Sequence, residues 1–156
     1  MGQGFYLYTG KIGFLQSWRE LGEMGLILLG DFLGTLLAAL LCRAAALNLS
    51  SAALCSAKLE QTWGMTFVRS MLCGVLMFLA IDNYRKTKAW FFVALPVVIF
   101  ILSGFEHSIA NLLYFCLDGI VTPERILYLL WNIVGNGMGA LLFARAQNFL
   151  FSKKGT

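Results

Sequence analysis

The sequence predicts an all-α integral membrane bundle, and three observations carry that reading. Of the 156 residues, 59% are hydrophobic and only 13% charged, against about a quarter charged in a soluble domain. Mean hydropathy is +0.75. The apolar residues gather into runs long enough, or nearly so, for roughly 30 Å of hydrocarbon. The whole chain, 1–156, reads as one transmembrane domain.

Taken in order, residues 1–23 fall short of a span and read as the remnant of a broken helix, interrupted at Thr9-Gly10-Lys11. The first full span is 24–46 and contains Gly30-Asp31-Phe32-Leu33-Gly34. A polar connection, 48–62, carries Lys58 and Glu60, and a second span covers 66–81 with Arg69 near its start, placed to snorkel to the interface. Residues 82–88 form a basic loop; a third, interrupted span occupies 89–116; a short connection, 117–124, leads to the last span, 125–143, and a basic tail.

Net charge is +4, but the basic residues lie in connections and at the tail, with no patch interleaved with exposed aromatics, so nucleic acid is not an expected partner. The four cysteines are scattered without a CxxC spacing. They read as small apolar packing residues, and neither a metal nor another cofactor is expected. Residues 1–8 lack the basic n-region and cleavage site of a signal peptide. Arg85, Lys86 and Lys88 in the loop, with Arg145, Lys153 and Lys154 in the tail, place both segments in the cytoplasm by the positive-inside rule. The expectation is a multi-pass protein of the plasma membrane with a cytoplasmic C-terminus.

The most informative stretch interrupts the third apolar run: Ser103-Gly104-Phe105-Glu106-His107-Ser108-Ile109-Ala110-Asn111. It sets a glycine, a carboxylate and the chain's one histidine at membrane depth. An ionisable side chain there costs about 2.5–3.5 kcal/mol on insertion scales, so something must offset it. Ser-Gly beside two ionisable groups predicts a helix that breaks and lines a polar cavity. Ser103, Gly104, Glu106 and Asn111 are the expected supports of that break, with Glu106 accepting backbone hydrogen bonds. The plainer alternative is a buried Glu and His that only pair with neighbours.

An internal repeat sets residues 30–38, which begin Gly-Asp-Phe-Leu-Gly, against residues 135–143, which begin Gly-Asn-Gly-Met-Gly. By the topology above the two spans run in opposite directions, which is the arrangement of inverted-repeat transporters. Glycines four apart also serve as simple close-packing faces. The repeat predicts a broken helix before the Gly-Asp span, of which residues 9–15 supply only the end.

Residues 104–111 resemble the signature of the formate/nitrite transporter family. Leu7-Tyr8-Thr9-Gly10-Lys11 resembles that family's Leu-Phe/Tyr-Thr-Gly loop, and residues 73–80 and 135–139 fall in the family's order. The resemblance implies an aquaporin-like fold of two inverted halves, of which this chain holds about four full spans plus a partial N-terminal one. It implies a homopentamer with one path per protomer for formate, nitrite or hydrosulfide, moved with a proton. The family's central histidine matches His107, its threonine Thr9, and its asparagine in the last span Asn136. Its lysine facing the extracytoplasmic mouth matches Lys58, and a constriction aromatic matches Phe100. On this reading Lys58 concentrates anions, and His107, oriented by Thr9 and Asn136, protonates or hydrogen-bonds them. Asp31 stands where the family has asparagine. The family pattern begins a span and a half earlier, so the chain is expected to be N-terminally truncated. A non-conducting partner subunit for full-length paralogues is the alternative function. A haem or other enzymatic role is not expected from a single histidine without metal-spaced partners.

Overall fold

A computed structural model describes residues 7–47 and 51–152, the side chains of Trp18, Phe151 and Ser152 aside. Residues 1–6, 48–50 and 153–156, and with them Lys153 and Lys154 of the expected basic tail, lie outside the described residues. The elements are α1 (Tyr8–Lys11), α2 (Leu21–Ala44), α3 (Ala52–Leu59), α4 (Trp63–Thr87), α5 (Phe91–Leu102), α6 (Ser108–Asp118) and α7 (Pro123–Ser152). Short 3₁₀ turns cover Ile12–Phe14 and Trp18–Glu20. Every regular element among the described residues is helical.

Three of these, α2, α4 and α7, are long and apolar enough to cross a bilayer. The α5–α6 pair crosses as two half-helices of 12 and 11 residues. Two helices run past their expected ends. α4 reaches Thr87 rather than 81, so most of the expected basic loop is helix. Its polar last turns are held by a Lys86–Asp82 ion pair and by Thr87 Oγ1 donating to the Asn83 carbonyl. It stops only where Lys88 turns left-handed, with φ 61°. α7 starts with Pro123 at a helix-compatible first position and continues to Ser152, not 143. Hydropathy marks where lipid ends, and a helix does not have to end there.

The break after α5 is a Schellman turn: Gly104, at φ 64°, donates to the Ile101 carbonyl and Phe105 to that of Phe100. His107 then caps α6, its side chain accepting the Ala110 N–H.

The order of contacts fixes the directions. Trp63 meets Trp131, Ser70 faces Gly135, Phe78 meets Phe143 and Asp82 bonds Gln147, so α4 and α7 run parallel. Leu28 shares a cavity with Ile133 and Ser108, whereas Arg43 shares the next one with Arg125 and Gly119. α2 therefore runs with α6 and against α7, and the two halves are inverted. The half-helix α6 lies along α2, α5 packs on α4, and α1 with the turn after it packs on α4 and α7, where Tyr8 Oη donates to the Ile133 carbonyl.

The α4–α7 contact is glycine-mediated. A Cβ on Gly74 would strike the Asn136 carbonyl, and one on Gly139 the Met71 carbonyl. At Gly30 and Gly34, the repeat-related positions in α2, a Cβ would meet nothing.

Gly74→Ala is therefore expected to lower the thermal unfolding midpoint in detergent, because rigid backbone must move; overpacking of this kind costs about 1–3 kcal/mol. Gly64→Ala, in the same helix but with open space around it, is expected to leave the midpoint unchanged or raise it.

Candidate functional site

The site is the break between α5 and α6, closed by α1, α3, α4 and α7. Thr9 Oγ1 and His107 Nε2 lie 3.0 Å apart across 98 residues of chain, and the Phe100 ring stacks on the imidazole with centroids 5.2 Å apart. The structure thus brings His107, Thr9 and Phe100 together. His107 Nδ1 takes the Ala110 N–H at 3.3 Å. A ring nitrogen that accepts carries no proton, so the neutral ring holds its hydrogen on Nε2 and donates it to Thr9.

Glu106, 1% exposed, is the charge the break has to accommodate. Lys58 Nζ lies 2.7 Å from its Oε2, Gln61 Nε2 donates to Oε1 at 2.9 Å, and Asn111 Nδ2 donates to Oε2 at 2.8 Å. Asn111 Nδ2 also reaches Asn132 Oδ1 at 2.8 Å, and Asn132 donates to the Tyr128 carbonyl. One carboxylate is therefore met by an ammonium and two amides, the condition under which a buried ion is tolerated.

Three expectations about residue roles change. Glu106 was expected to accept backbone hydrogen bonds; its carboxylate takes side-chain donors, because three of them converge from α3, the turn after it, and α6. Lys58 was expected at the mouth; it is buried and its charge is committed to Glu106. Asn136 was expected to orient the imidazole. Instead its Oδ1 accepts the Ser108 N–H, and its Nδ2 donates to the Ser70 and Glu106 carbonyls. Asn136 ties the break to α4, fully satisfied, and does not touch the ring.

The repeat explains Asp31. Its Oδ2 accepts the Tyr8 N–H at 3.0 Å, the first amide of α1, as Asn136 accepts the Ser108 N–H, the first amide of α6. Asp31 and Asn136 occupy matching positions in the repeat and perform matching tasks. Unlike asparagine, an ionised Asp31 has no donors to offer a neighbouring helix. Asn132 and Gln61 escaped the sequence reading. Asn132 had a signal: it lies one turn before Asn136, on the same face of an apolar helix. Gln61 had none beyond its closeness to Lys58. Among the described residues no three His, Cys, Asp or Glu side chains converge as a metal site would need.

An apolar helix broken in its middle and paired with an inverted half is an arrangement found in many transporter folds. The sequence matches the formate/nitrite transporter family over residues 5–150. The chain belongs to that family. Among curated proteins it is similar to a formate channel, FocA, of Haemophilus influenzae, 28% identical over 82 residues, a match spanning 50% of this chain and 28% of that protein. Among solved structures it resembles an FNT family ion channel with a TM-score of 0.83 at 23% identity, covering 94% of this chain and 69% of that one.

Lys58→Met is expected to destabilise the protein by about 3–5 kcal/mol, since it leaves Glu106 buried and unpaired. Lys58→Met combined with Glu106→Gln is expected to recover much of that loss in the same detergent unfolding assay.

Proposed function

We propose that the break around His107 is the central constriction of a path for small monovalent anions of the formate, nitrite or hydrosulfide type, one path in each protomer of a homopentamer in the plasma membrane. The observation that supports this most directly is the state of His107. Its Nδ1 is engaged by the Ala110 N–H, so Nε2–H is the group offered to Thr9. An anion that takes the place of the Thr9 hydroxyl receives that donor. Phe100, stacked on the ring, shields the exchange from water, and the N-terminus of α6 adds partial positive charge.

Such an anion loses hydration as it enters, a cost of many kcal/mol unless it is hydrogen-bonded or neutralised. The geometry favours hydrogen-bond donation by His107 over proton transfer. A neutral imidazole that gave up its Nε2 proton with Nδ1 still engaged would be left an imidazolate. Proton linkage then requires that the proton come from the aqueous phase at the mouth of the path, so that the substrate crosses as the neutral acid while His107 keeps its own proton. Lys58 acts through Glu106, holding the break in shape, rather than as a free cation collecting substrate. Transport, and not catalysis, is the activity.

A second reading, a non-conducting subunit that assembles with longer paralogues, is favoured by one observation. Gly30 and Gly34 face open space where Gly135 and Gly139 receive α4.

Formate uptake into proteoliposomes tests the first reading. His107→Phe is expected to lower uptake by about tenfold or more, the worth of a hydrogen bond to a charged group. His107→Asn, whose amide can both cap Ala110 and donate, is expected to keep a measurable part. Uptake by His107→Phe equal to that of the parent removes His107 from the path. If the parent chain shows no uptake alone but suppresses a co-expressed full-length relative, the partner-subunit reading holds.

A further inference from the structure

At the end of the bundle where α4 and α7 finish, a cavity of about 460 Å³ opens between these two helices and the turn after α1. Its inner wall is apolar, with Phe14, Phe78 and Leu141, and its rim carries Arg85, Lys86 and Arg145. None of the residues assigned to the anion path lines it.

The charges at this rim are not balanced. Asp82 is the one carboxylate among the lining residues, and it is already engaged by Lys86 and by Gln147 Nε2. Among the described residues no carboxylate pairs with Arg85, and its guanidinium lies 4.4 Å from the centre of the Phe14 ring. A guanidinium stacked on an aromatic face keeps its in-plane N–H donors available and loses little freedom on binding. Arg145 is exposed. Two arginines from separate helices therefore line one concavity with no ion pair to an acidic side chain among the described residues, above an apolar wall and at the membrane boundary.

We propose that this cavity binds the headgroup of an anionic phospholipid, the phosphate between Arg85 and Arg145 and the glycerol and upper acyl carbons against Phe14 and Leu141. Arginine matches the phosphate oxygens in fork geometry. The position suits the lipid: the basic helix ends face the cytoplasmic leaflet by the positive-inside rule, where anionic lipids are found and basic pockets between transmembrane helices take their headgroups. The Lys86–Asp82–Gln147 chain keeps the one carboxylate from competing for the arginines. Because the cavity joins α4 and α7 to the turn that follows Thr9 along the chain, an occupying lipid braces the half-helix that carries Thr9.

The test uses the full chain in detergent, with phosphatidylglycerol, phosphatidylcholine and free glycerol phosphate as probes, read by thermal unfolding and by native mass spectrometry. Phosphatidylglycerol is expected to bind more tightly than phosphatidylcholine and to raise the unfolding midpoint. Arg145→Gln and Arg85→Gln are each expected to weaken that binding roughly fivefold, with additive effect. Arg69→Gln, outside the cavity, is expected to leave it unchanged. In the unaltered protein a photoactivatable phosphatidylglycerol is expected to crosslink to peptides containing residues 14–15, 85–86 or 141–148, a readout that does not depend on the variants folding. Equal binding of the two lipids, full retention by the double variant, or crosslinks confined to other helices overturns the proposal. Stabilisation by glycerol phosphate as strong as that by the lipid overturns it in favour of a soluble phosphate ligand.

Discussion

One buried carboxylate sets the terms for the centre of this molecule. Glu106 sits at the point where a membrane-crossing helix stops, and a charge in that position is tolerated only if it is matched. The match comes from three directions: an ammonium on α3, an amide in the connection after it, and an amide on α6. The requirement explains why the polar connection between α2 and α4 folds inward as a short helix. It also explains why asparagines recur on the inner faces of α6 and α7, and why Lys58 is not available at the surface. The histidine next in sequence is then held by local means, capped on Ala110 and stacked on Phe100.

The second organising constraint is the orphaned amide at the start of each half-helix. A half-helix that begins at mid-membrane has no water for its first N–H groups, and each half of the chain answers with a polar side chain from its following long span. Asn136 serves α6 and Asp31 serves α1. This is the physical content of the glycine-flanked polar residue that appears twice in the sequence. The glycines let a neighbouring helix approach, and the residue between them reaches a helix start. The two copies differ in what surrounds them. Around Asn136 the approach is realised by α4, with backbone against backbone; around Asp31 the glycine face meets no other described residue.

One end of the bundle is chemically different from the centre. The break is polar but electrically balanced, and the end near Arg85 and Arg145 is polar and unbalanced. A neutral but hydrogen-bonding centre fits the proposed anion path. Two guanidinium groups over an apolar wall, one of them stacked on Phe14 and neither ion-paired among the described residues, suit the proposed lipid headgroup.

The sequence by itself determined that this is a helical membrane protein, that its third apolar run breaks at Gly104, and that its halves are inverted. Each follows from local chemistry: apolar run length, a glycine with ionisable neighbours, and a repeated pattern read with charge placement. It also brought His107, Thr9 and Phe100 forward through the family resemblance. Partner choice was decided by the tertiary structure alone. Whether Asn136 faces an imidazole or two backbone carbonyls, and whether Lys58 meets solvent or Glu106, depends on how α3, α4 and α7 are set around the break, over separations of 28 to 66 residues. The expected span bounds and the helix ends differ for a related reason. Hydropathy reports the boundary of the lipid, whereas Asp82, Lys86 and Thr87 stay helical beyond it because their own side chains bond within the helix.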